Sequence, residues 1–201
     1  MAVSVIVIIV ALMVVTNLAI PKSADTMFAT TATVMWLCIL IASFMIVMRS
    51  FVIEHDQMGF HGLIMCPIAR DAIYLGKVIS NLVFLLVIES ILLPLSSILF
   101  DAPLLTPSVV AITVLATTGI VGAGTLFAAI SVNTKAREIM LPVLFFPAVI
   151  PIVLSAVNAT QNALRTTYGA NEIWQDIGVL AALSLAIITT SAILFTFAMD
   201  E

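Results

Sequence analysis

Six apolar runs, each close to the ~20 residues that a membrane-crossing helix needs, divide this 201-residue chain. They fall at about 2–20, 27–48, 78–100, 108–130, 139–157 and 177–198. Such runs restrict the fold more than anything else in the sequence. A backbone in lipid has no water to satisfy its N–H and C=O groups, so each run must bond within itself as a helix. Only 9% of the residues are charged, against about 25% in an ordinary soluble domain. The chain therefore reads as an all-α integral membrane protein, one polytopic domain over 1–201. The first run lacks a basic leader and exceeds the ~7–15 apolar residues of a signal peptide, so it reads as a retained span.

Lys and Arg set the orientation. Arg49, Arg70, Lys77, Lys135 and Arg137 lie on one side of the expected bundle, and Lys22 and Arg165 lie on the other. The more basic side faces the cytoplasm. Both termini are then cytoplasmic and the membrane is a cell's inner membrane. A long polar connection, Asn158–Asp176, lies outside, with Tyr168 and Trp174 suited to the interface.

The longest stretch that a bilayer would reject is RSFVIEHDQMGFHGLIMCPIARDAIYLGK, Arg49–Lys77. Phe51, Val52, Met58, Leu63, Ile64 and Met65 alternate with Glu54, His55, Asp56, Gln57 and His61. That mixture predicts a short amphipathic helix along the membrane surface over Phe51–Met65. Pro67 ends it, and Arg70, Asp71 and Lys77 mark the re-entry. His55 and His61 are six residues apart and lie on different faces of a helix. The surrounding EHDQMGFH is not the HExxH of a zinc helix. Neither a metal site nor a heme ligand is assigned to them. Cys38 and Cys66 form no CxxC pair, and Cys38 reads as a small core residue.

The sequence holds no GxxxxGK[ST] phosphate loop and no GxSxG nucleophile. With no catalytic residues to assign, the chain is not expected to be an enzyme. Gly119, Gly122 and Gly124 sit inside a span, where the small pairs Gly119/Ala123 and Gly124/Ala128 let helices approach closely. Glu89 is the sharpest single residue. A carboxylate inside NLVFLLVIESILLPL costs at least ~2.5 kcal/mol on insertion scales. It must face the bundle interior, carry a proton or find a donor, as a path or gating residue or as an interhelical tie. Pro142, Pro147 and Pro151 recur in the fifth run. Each removes a backbone donor, which predicts a deformable or broken span, and Pro94 predicts a bend in the third.

EHDQMGFHGLIMCPIARDAIYLGK resembles the segment that follows the second span in ABC-2-type permeases, with Glu54, Gly62, Pro67, Arg70, Ile73, Gly76 and Lys77 at matching positions. TKAREIMLPVLFFPAVIPIVLSAV and NLVFLLVIESILLPL are similar to later parts of one such family, CcmB, the heme-exporter permease subunit of cytochrome c maturation. Arg137, Glu138, Leu141, the three prolines, Ile152 and Glu89 fit its pattern.

The resemblance implies a cytoplasmic coupling helix between spans two and three, gripped by a separate ATPase through Phe51, Glu54, Gly62, Pro67, Arg70 and Lys77. It implies a CcmA-like ATPase that consumes the ATP, CcmC-like and CcmD-like membrane proteins, and a CcmE-like heme chaperone. Heme is then cargo, and this chain binds no cofactor itself. Other readings are an ABC-2 exporter of a lipid, glycan or drug, a non-transporting membrane scaffold, and a proton-coupled carrier using Glu89.

Overall fold

The computed structural model describes residues 2–19, 27–56, 70–132, 137–165 and 170–198. They form helices α1 (Ala2–Ala19), α2 (Met27–Asp56), α3 (Arg70–Phe100), α4 (Pro107–Val132), α5 (Arg137–Leu164) and α6 (Ala170–Ala198). No strand occurs among the described residues. Five stretches, Met27–Ser50, Ala72–Phe100, Pro107–Ser131, Ile139–Leu164 and Asn171–Phe195, are long and apolar enough to cross a membrane. The apolar stretch of α1, Ser4–Ala19, is shorter. All 18 residues of α1 rise about 27 Å, slightly less than the ~30 Å hydrocarbon core.

α4 is the central helix. It packs against α6, α5, α2 and α3, while α1 rests on α2 and α3. Most of the α4 span is buried, whereas α5 and α6 turn large side chains such as Ile139, Val143, Leu154, Val179 and Leu185 outward. In water those faces would be a liability. Against lipid tails they cost nothing, which is the arrangement a membrane bundle requires.

Small residues make the centre possible. A Cβ added at Gly119 would lie 2.8 Å from Ser184 Oγ, and one at Gly122 would lie 2.9 Å from Ile188 Cγ1, so both glycines admit α6. A Cβ at Gly124 would meet Phe145 Cε2 at 3.0 Å and Val47 Cγ2 at 3.1 Å, so that glycine admits α5 and α2 together.

Polar ties then fix the register. Trp36 Nε1 on α2 donates to Thr160 Oγ1 on α5 at 2.9 Å, and Ser184 Oγ on α6 donates to the Leu115 carbonyl on α4 at 2.9 Å. Thr160→Val strands the buried indole N–H, and leaving such a group without a partner costs about 1–3 kcal/mol. A fall in the thermal midpoint of the detergent-purified protein is the expected result. An unchanged midpoint would show that the tie contributes nothing.

Three sequence expectations are corrected. The fifth run is not broken: α5 is continuous through Pro142, Pro147 and Pro151. Each proline removes one donor and leaves the remaining ladder intact. Pro147 and Pro151 lie four residues apart on the exposed face, clear of the packed interior. α3 is also continuous through Pro94, which is compatible with the expected bend there.

The long outer connection Asn158–Asp176 shrinks to the residues between Leu164 and Ala170. Asn162 Nδ2 donates to Asp176 Oδ2 at 2.8 Å, which ties the end of α5 to the first turns of α6 and makes helix out of polar sequence. Trp174 stands exposed beside that tie.

The helices also outrun their apolar runs elsewhere, with α3 starting at Arg70 rather than Val78 and α2 reaching Asp56. At the other end of α3, Asp101 takes a positive φ of 51° and the Ala102 N–H returns to the Ser97 carbonyl. Such a left-handed residue stops a helix, here without glycine. Pro107 then opens α4, where its missing N–H would have had no helical partner.

Candidate functional site

α3 carries Asn81, Leu85, Glu89 and Ser96 among its buried side chains. Residues 81, 85 and 89 are four apart, so they share one stripe. α4 runs antiparallel to it and answers with Thr125 and Thr117. Asn81 Nδ2 donates to Thr125 Oγ1 at 3.4 Å, and Thr117 Oγ1 donates to Glu89 Oε1 at 2.5 Å. Nearer the start of α3, Tyr74 Oη donates to the Gly122 carbonyl at 3.1 Å and its ring packs on Phe195 of α6, with centroids 5.2 Å apart. A polar seam therefore runs down the α3–α4 contact through an otherwise apolar bundle.

Glu89 is the chemically unusual member. It is 2% exposed, one carboxyl oxygen accepts from Thr117, and the other, Oε2, is buried without a hydrogen-bond partner. Ionised or neutral, one oxygen stays unserved. That costs free energy in a low-dielectric interior. Thr117 is unusual too. Thr113, Thr118 and Thr125 on the same helix donate to carbonyls of their own turn, at 2.8, 2.6 and 2.8 Å. Thr117 donates across to α3 instead.

A second feature lies where α2 ends and α3 begins. A partly open cleft of about 180 Å³ has Val5, Met45, Ile46 and Phe84 as its apolar walls. Arg49, Ser50, Ser80 and Asn81 complete its lining. These residues come from the starting end of α1, the closing half of α2 and the starting half of α3. Those three ends therefore sit at the same end of the bundle, as the alternating topology requires.

The expected coupling residues are divided between these places and the undescribed segment. Phe51 and Glu54 stand in the last turns of α2, which continues through them without a break. The described part of the expected surface helix over Phe51–Met65 is thus an extension of α2. Gly62 and Pro67 lie outside the described residues. Arg70 is the first residue of α3, and Lys77 is half-buried two turns further on. Pro142, Pro147 and Pro151 are on α5, away from the α3–α4 seam. Cys38 is a free, buried cysteine in α2. Sequence reasoning singled out Glu89 but missed Thr117, Asn81, Thr125 and Tyr74. The available signal was the shared spacing of 81, 85 and 89, which points an asparagine and a glutamate to one face.

Comparison with known families places the chain. A family model described as CcmB protein matches residues 1–201, the full sequence. Comparison with curated proteins gave no match.

Proposed function

Because this chain belongs over its whole length to the CcmB family, the heme-exporter permeases of cytochrome c maturation, we propose that it is the membrane half of an ATP-driven complex that delivers heme, or releases heme-loaded chaperone, at an inner membrane. The whole-chain family match carries this reading, and five helices long and apolar enough to span a bilayer support it. On this reading α1 is the sixth span and both termini are cytoplasmic. A CcmA-like subunit hydrolyses the ATP. CcmC-like and CcmD-like proteins share the membrane, and a CcmE-like chaperone takes up the cargo. Heme is substrate, and this chain holds no cofactor of its own.

The packing supports a mechanical path. The ATPase grips the segment that joins α2 to α3, through Phe51, Glu54, Gly62, Pro67, Arg70 and Lys77. α2 and α3 both pack on α4, so a push on their shared end bears on the central helix. The proline-containing α5, with fewer backbone bonds to hold it straight, takes up the adjustment.

The test is co-purification in mild detergent, with an absorption spectrum for heme and an ATPase assay. Glu54→Lys is expected to lower ATPase stimulation by about tenfold, within the range of interdomain coupling energies. ATPase turnover indifferent to this subunit would leave a scaffold. Coupled turnover stimulated by a lipid or glycan, with no heme in the complex, would leave an exporter of another substrate.

A further inference from the structure

The cleft that Arg49 lines has apolar walls and a cationic rim. Its walls are Val5 of α1, Met45 and Ile46 of α2, and Phe84 of α3, and three helices meet to enclose it. Among the described residues its polar lining is a guanidinium, two hydroxyls and the Asn81 amide, with no carboxylate. The site therefore combines a hydrocarbon-lined slot with a permanent positive charge and hydroxyl donors. The apolar stretch of α2 ends at Ser50 and that of α1 begins at Ser4, so the cleft lies towards one end of these stretches, with Arg49 on its rim.

We propose that this cleft holds an anionic phospholipid, its phosphate on Arg49 with Ser50 and Ser80 as donors, and the start of one acyl chain against Val5, Ile46 and Phe84. Guanidinium matches phosphate through paired N–H donors. The basic side of the bundle faces the leaflet that supplies anionic lipid. The slot opens where such a lipid already lies, so binding costs little translational freedom compared with capture from water. The bound lipid bridges α1 to α2 and α3. It thereby fixes the shortest apolar helix against the pair that flanks the coupling segment.

Native mass spectrometry of the full chain in mild detergent tests this. Phosphatidylglycerol and phosphatidylcholine with identical acyl chains are titrated separately, and inorganic phosphate is used as a competitor. Phosphatidylglycerol is expected to bind about fivefold more tightly, the effect of one basic residue at a charged lipid surface. Arg49→Gln is expected to remove that preference, and Arg49→Lys to keep most of it. Ser80→Trp, which fills the cleft without changing charge, is expected to weaken retention of both lipids. Inorganic phosphate is expected to leave lipid binding unchanged. Equal phosphatidylglycerol preference in the wild type and Arg49→Gln overturns the proposal. So does unchanged retention in Ser80→Trp. Full competition by inorganic phosphate overturns it in favour of a free-anion site.

Discussion

Gly124→Leu is expected to cause a large loss of folded protein. The glycine faces two helices at once. A Cβ alone would sit 3.0 Å from Phe145 Cε2, and 3.1 and 3.3 Å from the two Val47 methyls. Val47 is 1% exposed and Phe145 is fully buried, so neither has room to withdraw. Phe145 also packs against Phe44 and Phe146, with ring centroids 5.6 Å away in both cases. Moving it would disturb a cluster that joins α2 to α5.

Overpacking of a tight core costs about 1–3 kcal/mol, and a leucine adds three further carbons to the clash. The expected outcome is a sharp fall in monodisperse protein after detergent extraction, with Gly124→Ala in between. Gly178 provides the control, because a Cβ there meets nothing within 4 Å. Gly178→Leu is expected to extract like the wild type. Equal yields for the 124 and 178 variants would show that close approach at α4 is not what holds the bundle together.

Glu89→Leu is expected to separate stability from activity. The substitution removes the buried Oε2 that has no partner. It also frees the Thr117 hydroxyl, which turns to its own helix as Thr113 and Thr118 already do. The first change favours the folded state, by about 1–3 kcal/mol for the unserved polar atom, and the second only exchanges one hydrogen bond for another, so the thermal midpoint is expected to rise.

On the proposed function, with Glu89 as a path or gating residue, heme-dependent output of the complex is expected to fall by about tenfold or more. Glu89→Gln keeps an acceptor for Thr117 and leaves a polar group at the unserved position. It is expected to fold about as well as the wild type while losing the charge-dependent part of the activity. A leucine variant with full activity would reduce Glu89 to a structural tie between α3 and α4.

These two positions also show what was legible in the sequence. Membrane residence was plain, because a scarcity of charge over twenty-residue runs has one physical solution. Glu89 was equally plain, a carboxylate among isoleucines and leucines. Its partner was not. Four threonines on α4, at 113, 117, 118 and 125, look alike in one dimension, and only the packing of α3 decides which one turns outward from its own backbone.

The small pairs Gly119/Ala123 and Gly124/Ala128 announced close approach without saying that α6 would use one glycine face and α2 with α5 another. Helix ends were read too short wherever polar residues continued a helix. Hydropathy stops at Val157, but the helix follows the Asn162–Asp176 bond to Leu164. The prolines of α5 suggested a break because each was counted as a lost bond, and the intact remainder of the ladder was not. The candidate site was therefore half visible. Its acid came from composition, and its tie and the neighbouring cleft came from tertiary contacts between segments far apart in the chain.

The central place of α4 has a consequence for biogenesis. Its neighbours α2 and α3 leave the ribosome before it, and α5 and α6 leave after it. Until α6 arrives, the faces of Gly119 and Gly122 that meet Ser184 and Ile188 have no occupant, and the nascent bundle presents small residues there to lipid. Tertiary closure thus waits for the last helix to be inserted. Chains that stall before Ala170 lack the helix that covers those faces, so the middle of the bundle stays open to lipid.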